Sequence, residues 1–328
     1  MQENKNPLVT FALFSYNQEK YIGEAVEAVL EQNYTNLEII LSDDCSTDNT
    51  YVIMKNLVNE YNGPHRIILN RNDVNLGVGK HINKVMSISS GGLIVVGAGD
   101  DISLPNRVSE INNYWLSSDR KYNLISSSYI VIDEHGGIEE RAEGCILNNM
   151  NLKSVAENGH SILGATAAWT KELWNSFNEL GGDIVLEDNV MTFRACLMGG
   201  VGYINKPLLQ YRKNVSVWND SFKTVNAKEM LKRYEKRYEY QIKSTHASIK
   251  DAMDKNRYDL IPVLTKRIQR EVLMYQIYNK NVGPLEILYE ALVSHINIKR
   301  LITAILQVHA IHLYSFVLKR KIKYNEKK

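Results

Sequence analysis

Between residues 9 and 101, four short apolar runs alternate with three stretches that repeat apolar residues at helical spacing, and this alternation limits the chain to few architectures. The runs are Val9–Ser15 (VTFALFS), 37–42 (LEIILS), 66–69 (RIIL) and 93–96 (LIVV). Their length, their β-branched content and their lack of polar alternation are those of strands buried on both faces. The intervening helices are predicted over 19–32, 51–61 and 80–88. In the first of them Tyr21, Ile22, Ala25, Val26, Val29 and Leu30 share one face, and Ser46 or Thr47 is placed to cap the second. Single crossover helices joined by short loops imply an α/β fold, a mostly parallel sheet with helices on both faces. Ligands of such sheets bind at the carboxyl ends of the strands. The loops there carry Tyr16-Asn17, Asp43-Asp44 and Asp100-Asp101, so three polar clusters distant in sequence are expected to converge on one crevice.

The fourth loop, in IVVGAGDD, is chemically the most demanding. Two adjacent carboxylates at the end of a dry strand cost desolvation unless a cation or strong donors meet them. Asp100 or Asp101 is therefore expected to hold a divalent metal that bridges two phosphates, with Gly97 and Gly99 leaving room for a ligand and Asp43 accepting the imino hydrogen of a uracil. A plain polar strand-to-helix turn ahead of Pro105 accounts for the same residues. Two common nucleotide motifs are excluded. No GxGxxG follows the first strand, and in Gly77-Val78-Gly79-Lys80 the positions a phosphate loop gives to its first Gly and its Ser or Thr hold Val74 and His81.

A formal net charge of +2 over 328 residues gives no global basic field, so nucleic acid is not an expected partner. Cys45, Cys145 and Cys196 have neither CxxC nor zinc spacing, which suits a reducing compartment. MQENKNPLV is not a secretory signal, and a cytoplasmic location is expected.

Downstream, a helix is expected from Pro105 to about residue 117, then a strand over Leu124–Ile132 and hairpin-turn chemistry at 133–137. Residues 138–165 are read as the acceptor half of the domain, and Trp169 and Trp174 as core residues more than sugar-stacking platforms. In GGDIVLEDNVMTFRACLMGG a buried helix begins at Glu187-Asp188, where acids also favour the helix dipole without any catalytic role. Short strands are expected at 202–204 and 208–212, on either side of Pro207. The composition shifts near Phe222, and from Asn226 to Lys280 the chain is rich in Lys, Glu, Tyr and Arg with apolar residues at helical intervals, punctuated by Pro262 and Pro284, so three or four helices are expected there. The predicted domains are thus 1–222 and 223–328. Residues 301–318 form an apolar run interrupted by Gln307, His309 and His312 and flanked by basic residues. Packing, lying in a bilayer interface and spanning it are its three readings, the first two favoured.

The run VTFALFSYNQEKYIGEAVEAVLEQNYTNLEIILSDDCSTDNT, followed by Asn75-Leu76-Gly77, Asn83 and AGDD, resembles the inverting glycosyltransferases of family 2 with the GT-A fold, over residues 7–215. The resemblance implies a nucleotide-diphosphate sugar donor, UDP-linked and of hexosyl or N-acetylhexosaminyl type, a divalent cation (Mn or Mg), and transfer with inversion to a glycan or lipid-linked glycan acceptor in surface polysaccharide synthesis. By position it assigns Tyr16, Asn17, Asp43 and Asp44 to the base and ribose, with Arg71, Asn83 and Arg212 also on the donor. It makes Asp100 the last residue of the DxD metal motif, and it makes Asp188 the general base beside Glu187. Two departures stand out. The first DxD position is Ala98, so either Asp101 shares the metal or the metal is held less tightly, and a position often occupied by histidine is Asn214, so Arg212 or Lys213 either takes over charge compensation at the diphosphate or is a plain surface cation at a strand end. Apart from the resemblance, the basic tail 319–328 suits anionic lipid, so a peripheral place at the inner face of the cell membrane is an expectation for this cytoplasmic protein. A nucleotidyltransferase on a similar fold and an inactive nucleotide- or glycan-binding protein are the alternatives.

Overall fold

The computed structural model describes residues 6–142, 150–159, 161–213 and 227–279. The chain divides into two compact units, Met1–Asp220 and Ser221–Lys328.

In the first unit β1 (Val9–Ser15), α1 (Ile22–Leu30), β2 (Leu37–Asp43), α2 (Thr50–Glu60), β3 (Arg66–Arg71), α3 (Val78–Ile88) and β4 (Leu93–Ala98) follow one another in the alternation expected. β3, β2, β1 and β4 pair in parallel in that spatial order. β2 is buried along its whole length, and β1 and β4 are buried but for one residue each. This is why they read as continuous apolar runs. Glu38, a charge buried in β2, accepts from Thr10 Oγ1 at 2.8 Å, Ser90 N at 2.7 Å and Arg66 at 3.0 Å, so burial leaves it bonded. α2 begins one turn after Ser46 and Thr47, and its first residue, Thr50, is held by Asp48 instead.

Beyond β4 the sheet turns mixed. After β5 (Ile102–Ser103) and α4 (Arg107–Ser117), β6 (Leu124–Ile132) and β7 (Ile138–Ala142) form the expected hairpin, closed by Asp133 accepting from the backbone of His135 and Gly137 at 2.8 Å each. α5 (Leu152–Asn158), a 3-10 turn at Gly164–Thr166, β8 (Ala168–Thr170) and α6 (Lys171–Asn175) come next. β8 pairs antiparallel with both β4 and β6, so three residues join the parallel half of the sheet to the rest. α7 (Glu187–Leu197) then leads into β9 (Val201–Arg212). β9 is one strand where two were expected. Its pairing with β6 shifts register around Ser128 and Pro207, so the proline sits at an irregularity of the ladder and does not end the strand. The completed sheet reads β3-β2-β1-β4-β8-β6-β9-β5, with β7 on β6.

In the second unit the described residues form α8 (Ala227–Asp254), a 3-10 turn and α9 (Ile261–Tyr278), two long helices where three or four were expected over 226–280. Pro262 lies in the first turn of α9, where a missing N–H costs nothing. Buried Glu271 accepts from Thr245 of α8 at 2.6 Å and pairs with Arg267 at 2.8 Å, and the Tyr278 ring stacks on Tyr234 and Tyr238. Among the described residues no helix is long and apolar enough to cross a membrane. The 301–318 segment lies outside them.

Candidate active site

A cavity of about 370 Å³ opens at the carboxyl ends of β1 and β4, bordered by Phe14, Tyr16, Asp44, His81, Ala98 and Glu187. The first and second loops meet at its rim. Asn17 has φ of 52°, a left-handed conformation that Asn tolerates better than most residues. Its N–H donates to Ser46 Oγ at 2.9 Å, and its Oδ1 accepts from Thr47 N at 2.8 Å. Asp43 is fully buried beneath this staple. It accepts from Ser46 N at 3.0 Å and from the Ser46 hydroxyl, and it pairs with Arg71 Nε at 3.4 Å. Arg71 in turn donates to Ser46 O at 3.0 Å and lies over the Tyr51 ring. Asn17, Asp43 and Arg71 are thus joined to one another through the loops that form the rim.

The two acids of the second loop do different jobs. Asp43, expected as the base acceptor, is engaged by Ser46 and Arg71 and does not border the cavity; Asp44 does, because neighbouring side chains leave an extended chain on opposite sides. Asp44 also accepts from Asn72 at 2.8 Å, Leu76 N at 2.9 Å and Gly77 N at 3.0 Å, which fixes the carboxylate in place.

His81 escaped sequence reasoning. It sits on the buried face of α3 among Ile82, Val85 and Met86, so its only sequence signal was a polar residue on an apolar helical face. Its Nε2 is 2.6 Å from Ser42 Oγ, its ring meets Phe14 edge-on, and burial depresses its pKa against the opposing fields of Asp44 and Asp43.

Asp100 and Asp101 also part company. Burial raises the Asp100 pKa, an effect only partly offset by its own backbone, Arg212 and Gln18. Asp101 is driven well above the usual carboxylate range by burial and by Asp100. It accepts from Arg212 N at 2.8 Å and lies in the field of Arg107. The incompletely compensated Asp100 carboxylate fits a cation. Asp101 does not: it is enclosed against β9, contrary to the expected sharing of a metal. Among the described residues no group of three or more His, Cys, Asp or Glu side chains could hold a metal, so a cation at Asp100 would draw its other oxygens from phosphates and water. Gly97 and Gly99 were expected to make room for a ligand, but they make room for protein. A Cβ at Gly97 would stand 2.6 Å from the Phe11 ring and one at Gly99 2.5 Å from Gln18.

Two expected donor contacts serve the fold. Arg212, 1% exposed, donates from Nε to Asp100 O at 3.0 Å, from one terminal nitrogen to Asp133 O and Glu134 O at 3.2 Å each, and from the other to Glu24 at 2.6 Å. That engages most of its fork and leaves little of it for a diphosphate. Asn83 binds the backbone of Leu180 at both ends of its amide, at 2.9 and 3.0 Å, and does not border the cavity. Lys213 pairs with Glu139 at 3.1 Å. Asn214 lies outside the described residues. Trp169 is buried in β8 with Trp174 stacked on it, which makes the pair core.

The acid pair opens α7 at the other side of the cavity. Glu187 reaches the cavity wall across Gly164, where a Cβ would come 2.7 Å from its Oε1. Asp188 accepts from Asn189 N at 2.8 Å and from the Ser161 hydroxyl. Burial, reinforced by the charge of Asp188, pushes the Glu187 carboxyl up to about 8. Burial against those hydrogen bonds leaves Asp188 at about 6. Burial thus disfavours the charged form of both acids, and two adjacent carboxyls in such a place titrate as a pair. One prediction follows for stability. Glu187→Gln should raise the Tm at pH 7 to 8 by the equivalent of roughly 1–3 kcal/mol, because the native state no longer holds a desolvated acid next to a charge. Because both native values lie above the ordinary 4.5 and 3.8, the pair's contribution to stability is fullest below about pH 4 and declines as pH rises through about 6 and 8. The advantage of Glu187→Gln should therefore vanish in melts run near pH 4.

Residues 10–153 match the profile of Glycosyl transferase family 2. The putative glycosyltransferase EpsE of Bacillus subtilis (strain 168) is 35% identical over 133 residues, 40% of this chain and 47% of that protein. The match spans about half the length of that relative. Among solved structures, S. aureus TarS in complex with UDP-GlcNAc aligns with a TM-score of 0.51 and 15% identity over 83% of this chain and 86% of that one. The mannosyltransferase PcManGT of Pyrobaculum calidifontis, in complex with GDP-Man and Mn2+, aligns with a TM-score of 0.54 and 16% identity over 95% and 87%. At these identities the likeness to both structures is one of fold.

Proposed function

Because the chain belongs to glycosyltransferase family 2, we propose that it transfers a sugar from a nucleotide-diphosphate sugar to an acceptor hydroxyl with inversion at the anomeric carbon. The observation that carries this reading is Glu187 in the wall of the cavity opposite Asp44 and Tyr16, with Asp188 buried next to it in sequence and both carboxyls raised above the ordinary range. Such values at a cavity mark a functional site more often than a structural one.

Asp44 and Tyr16 border the region where the nucleotide would lie, with Asp44 accepting from the base. Asp188, as the carboxylate, removes the proton of the acceptor hydroxyl. That oxygen attacks the anomeric carbon as the bond to the diphosphate breaks on the opposite face, and the electron pair leaves with the nucleoside diphosphate. Glu187, when protonated, spares Asp188 a second negative charge beside it. Asp100 is the residue that would hold a divalent cation, which when bound neutralises charge on the diphosphate. UDP-GlcNAc with one structural neighbour and GDP-Man with the other support a nucleotide sugar as donor and leave both bases open. A glycan or lipid-linked acceptor and surface polysaccharide as product rest on family analogy, and contact of the C-terminus with anionic lipid rests on its basic composition.

Asp100→Ala should weaken donor binding in the presence of Mn or Mg and leave the metal-free affinity unchanged, whereas Asp101→Ala should lower the Tm first. Titrating UDP- and GDP-sugars with and without metal checks both, and equal metal effects in wild type and Asp100→Ala would refute the assignment. The transfer rate should rise with pH through about 6 as Asp188 loses its proton. A pH–rate profile flat from 5 to 8 would remove Asp188 from the role of base.

A further inference from the structure

α3 touches both sides of the cavity, and its contacts with the segment ahead of α7 exceed what packing alone requires. At the start of α3, Gly77 N donates to Asp44 at 3.0 Å, which fixes the helix to the proposed nucleotide side. One turn on, the Asn83 amide meets Leu180 in a two-way clamp, donating to its carbonyl at 2.9 Å and accepting from its N–H at 3.0 Å. Between these, Gly79 N donates to Ile184 O at 3.1 Å, and the backbones are so close that a Cβ at Gly79 would stand 2.3 Å from Gly181 O. Leu180 and Ile184 are themselves buried, at 4% and 3% exposed. Three residues after Ile184 comes Glu187.

We infer that Asn83 and Gly79 are positioning residues for transfer: through Leu180 and Ile184 they set the register of the Glu187-Asp188 pair against the nucleotide side held by Asp44. The inference rests on the transferase reading above. A segment of two glycines, Gly181-Gly182, has little conformational preference of its own. Without the two-way clamp it would sample many backbone states, and a catalytic carboxylate displaced by about 1 Å loses on the order of 100-fold in rate. The arrangement also explains why Asn83 is found at a nucleotide-motif position yet away from the cavity. It acts on the acids and not on the donor.

The experiment compares Asn83→Ala, Gly79→Ala and Met86→Ala, the last a buried residue of the same helix that takes no part in the hydrogen bonds described above to Leu180 and Ile184. Each is measured for single-turnover transfer, donor affinity, thermal melting, and hydrogen exchange of peptides covering residues 178–190. Asn83→Ala and Gly79→Ala should lose roughly 10- to 100-fold in the transfer step with donor affinity kept within about threefold, and exchange should rise in residues 178–190. Met86→Ala should lower the melting temperature and leave the transfer step and the 178–190 exchange unchanged. The inference is overturned if Asn83→Ala transfers at the wild-type rate, if donor affinity falls in parallel with the rate, or if exchange in 178–190 does not change. Should wild type cleave no nucleotide sugar, the transferase reading fails by itself, while the exchange data still decide whether the clamp orders the segment.

Discussion

Asp188→Asn is expected to lower single-turnover transfer roughly 100-fold or more while donor affinity changes by no more than a few-fold. The substitution keeps the shape of the side chain and an oxygen able to accept from Asn189 N, so the start of α7 survives. What disappears is the carboxylate proposed to take the proton of the acceptor hydroxyl. A sugar hydroxyl is too weak a nucleophile to compensate. Were the two acids merely favourable charges at a helix start, neutralising one would cost at most about 1 kcal/mol and leave turnover intact. The opposite sign is expected: both native pKa values are raised, so at neutral pH the pair destabilises the fold, and Asp188→Asn should melt higher than wild type. Slower transfer together with a higher Tm is the signature of a group kept for chemistry at the expense of stability.

Arg212→Met should be the most destabilising single change in the first unit, by about 3 kcal/mol, which in a unit of this size corresponds to a Tm lowered by roughly 6–12 °C. The guanidinium is 1% exposed and joins three separate segments: Glu24 of α1, the Asp100 carbonyl, and the Asp133 and Glu134 carbonyls of the hairpin turn. Its face also covers the Tyr21 ring at 4.8 Å. Methionine fills similar space but leaves those carbonyls without a donor and removes the cation that moderates Asp100. Arg212→Lys should recover only part, because one ammonium cannot reach the same fan of acceptors. Thermal melts read this directly. A full-stability Arg212→Met that had lost only donor affinity would mean that the residue serves the diphosphate after all.

The parallel half of the sheet was legible because burial on both faces writes itself as unbroken apolar runs, and the 133–137 turn because Asp and Gly encode it. β8 was not legible: three residues are too few to show a period, and only their pairing with β4 and β6 makes them a strand. Pro207 divided β9 on paper because a proline removes a ladder donor, whereas the irregular register beside Ser128 accommodates it. At the site the loops that converge were readable from the topology, yet the direction of each side chain was not. Asp43 and Asp44 are equivalent as letters, and only the alternation of the chain decides which of them borders the cavity. Asn83 and Arg212 occupy motif positions, and their partners, 97 and up to 188 residues away in sequence, are set by tertiary structure alone. His81 carried no motif at all.

The most direct test of the transferase account is 31P and 1H NMR of the wild-type protein incubated with a panel of UDP- and GDP-sugars, divalent metal and glycan acceptors. The account predicts release of nucleoside diphosphate from at least one donor, with an anomeric configuration in the product opposite to that of the donor, and release roughly 100-fold slower or more with Asp188→Asn. Release of pyrophosphate or nucleoside monophosphate, retention of configuration, or no cleavage of any donor would contradict it.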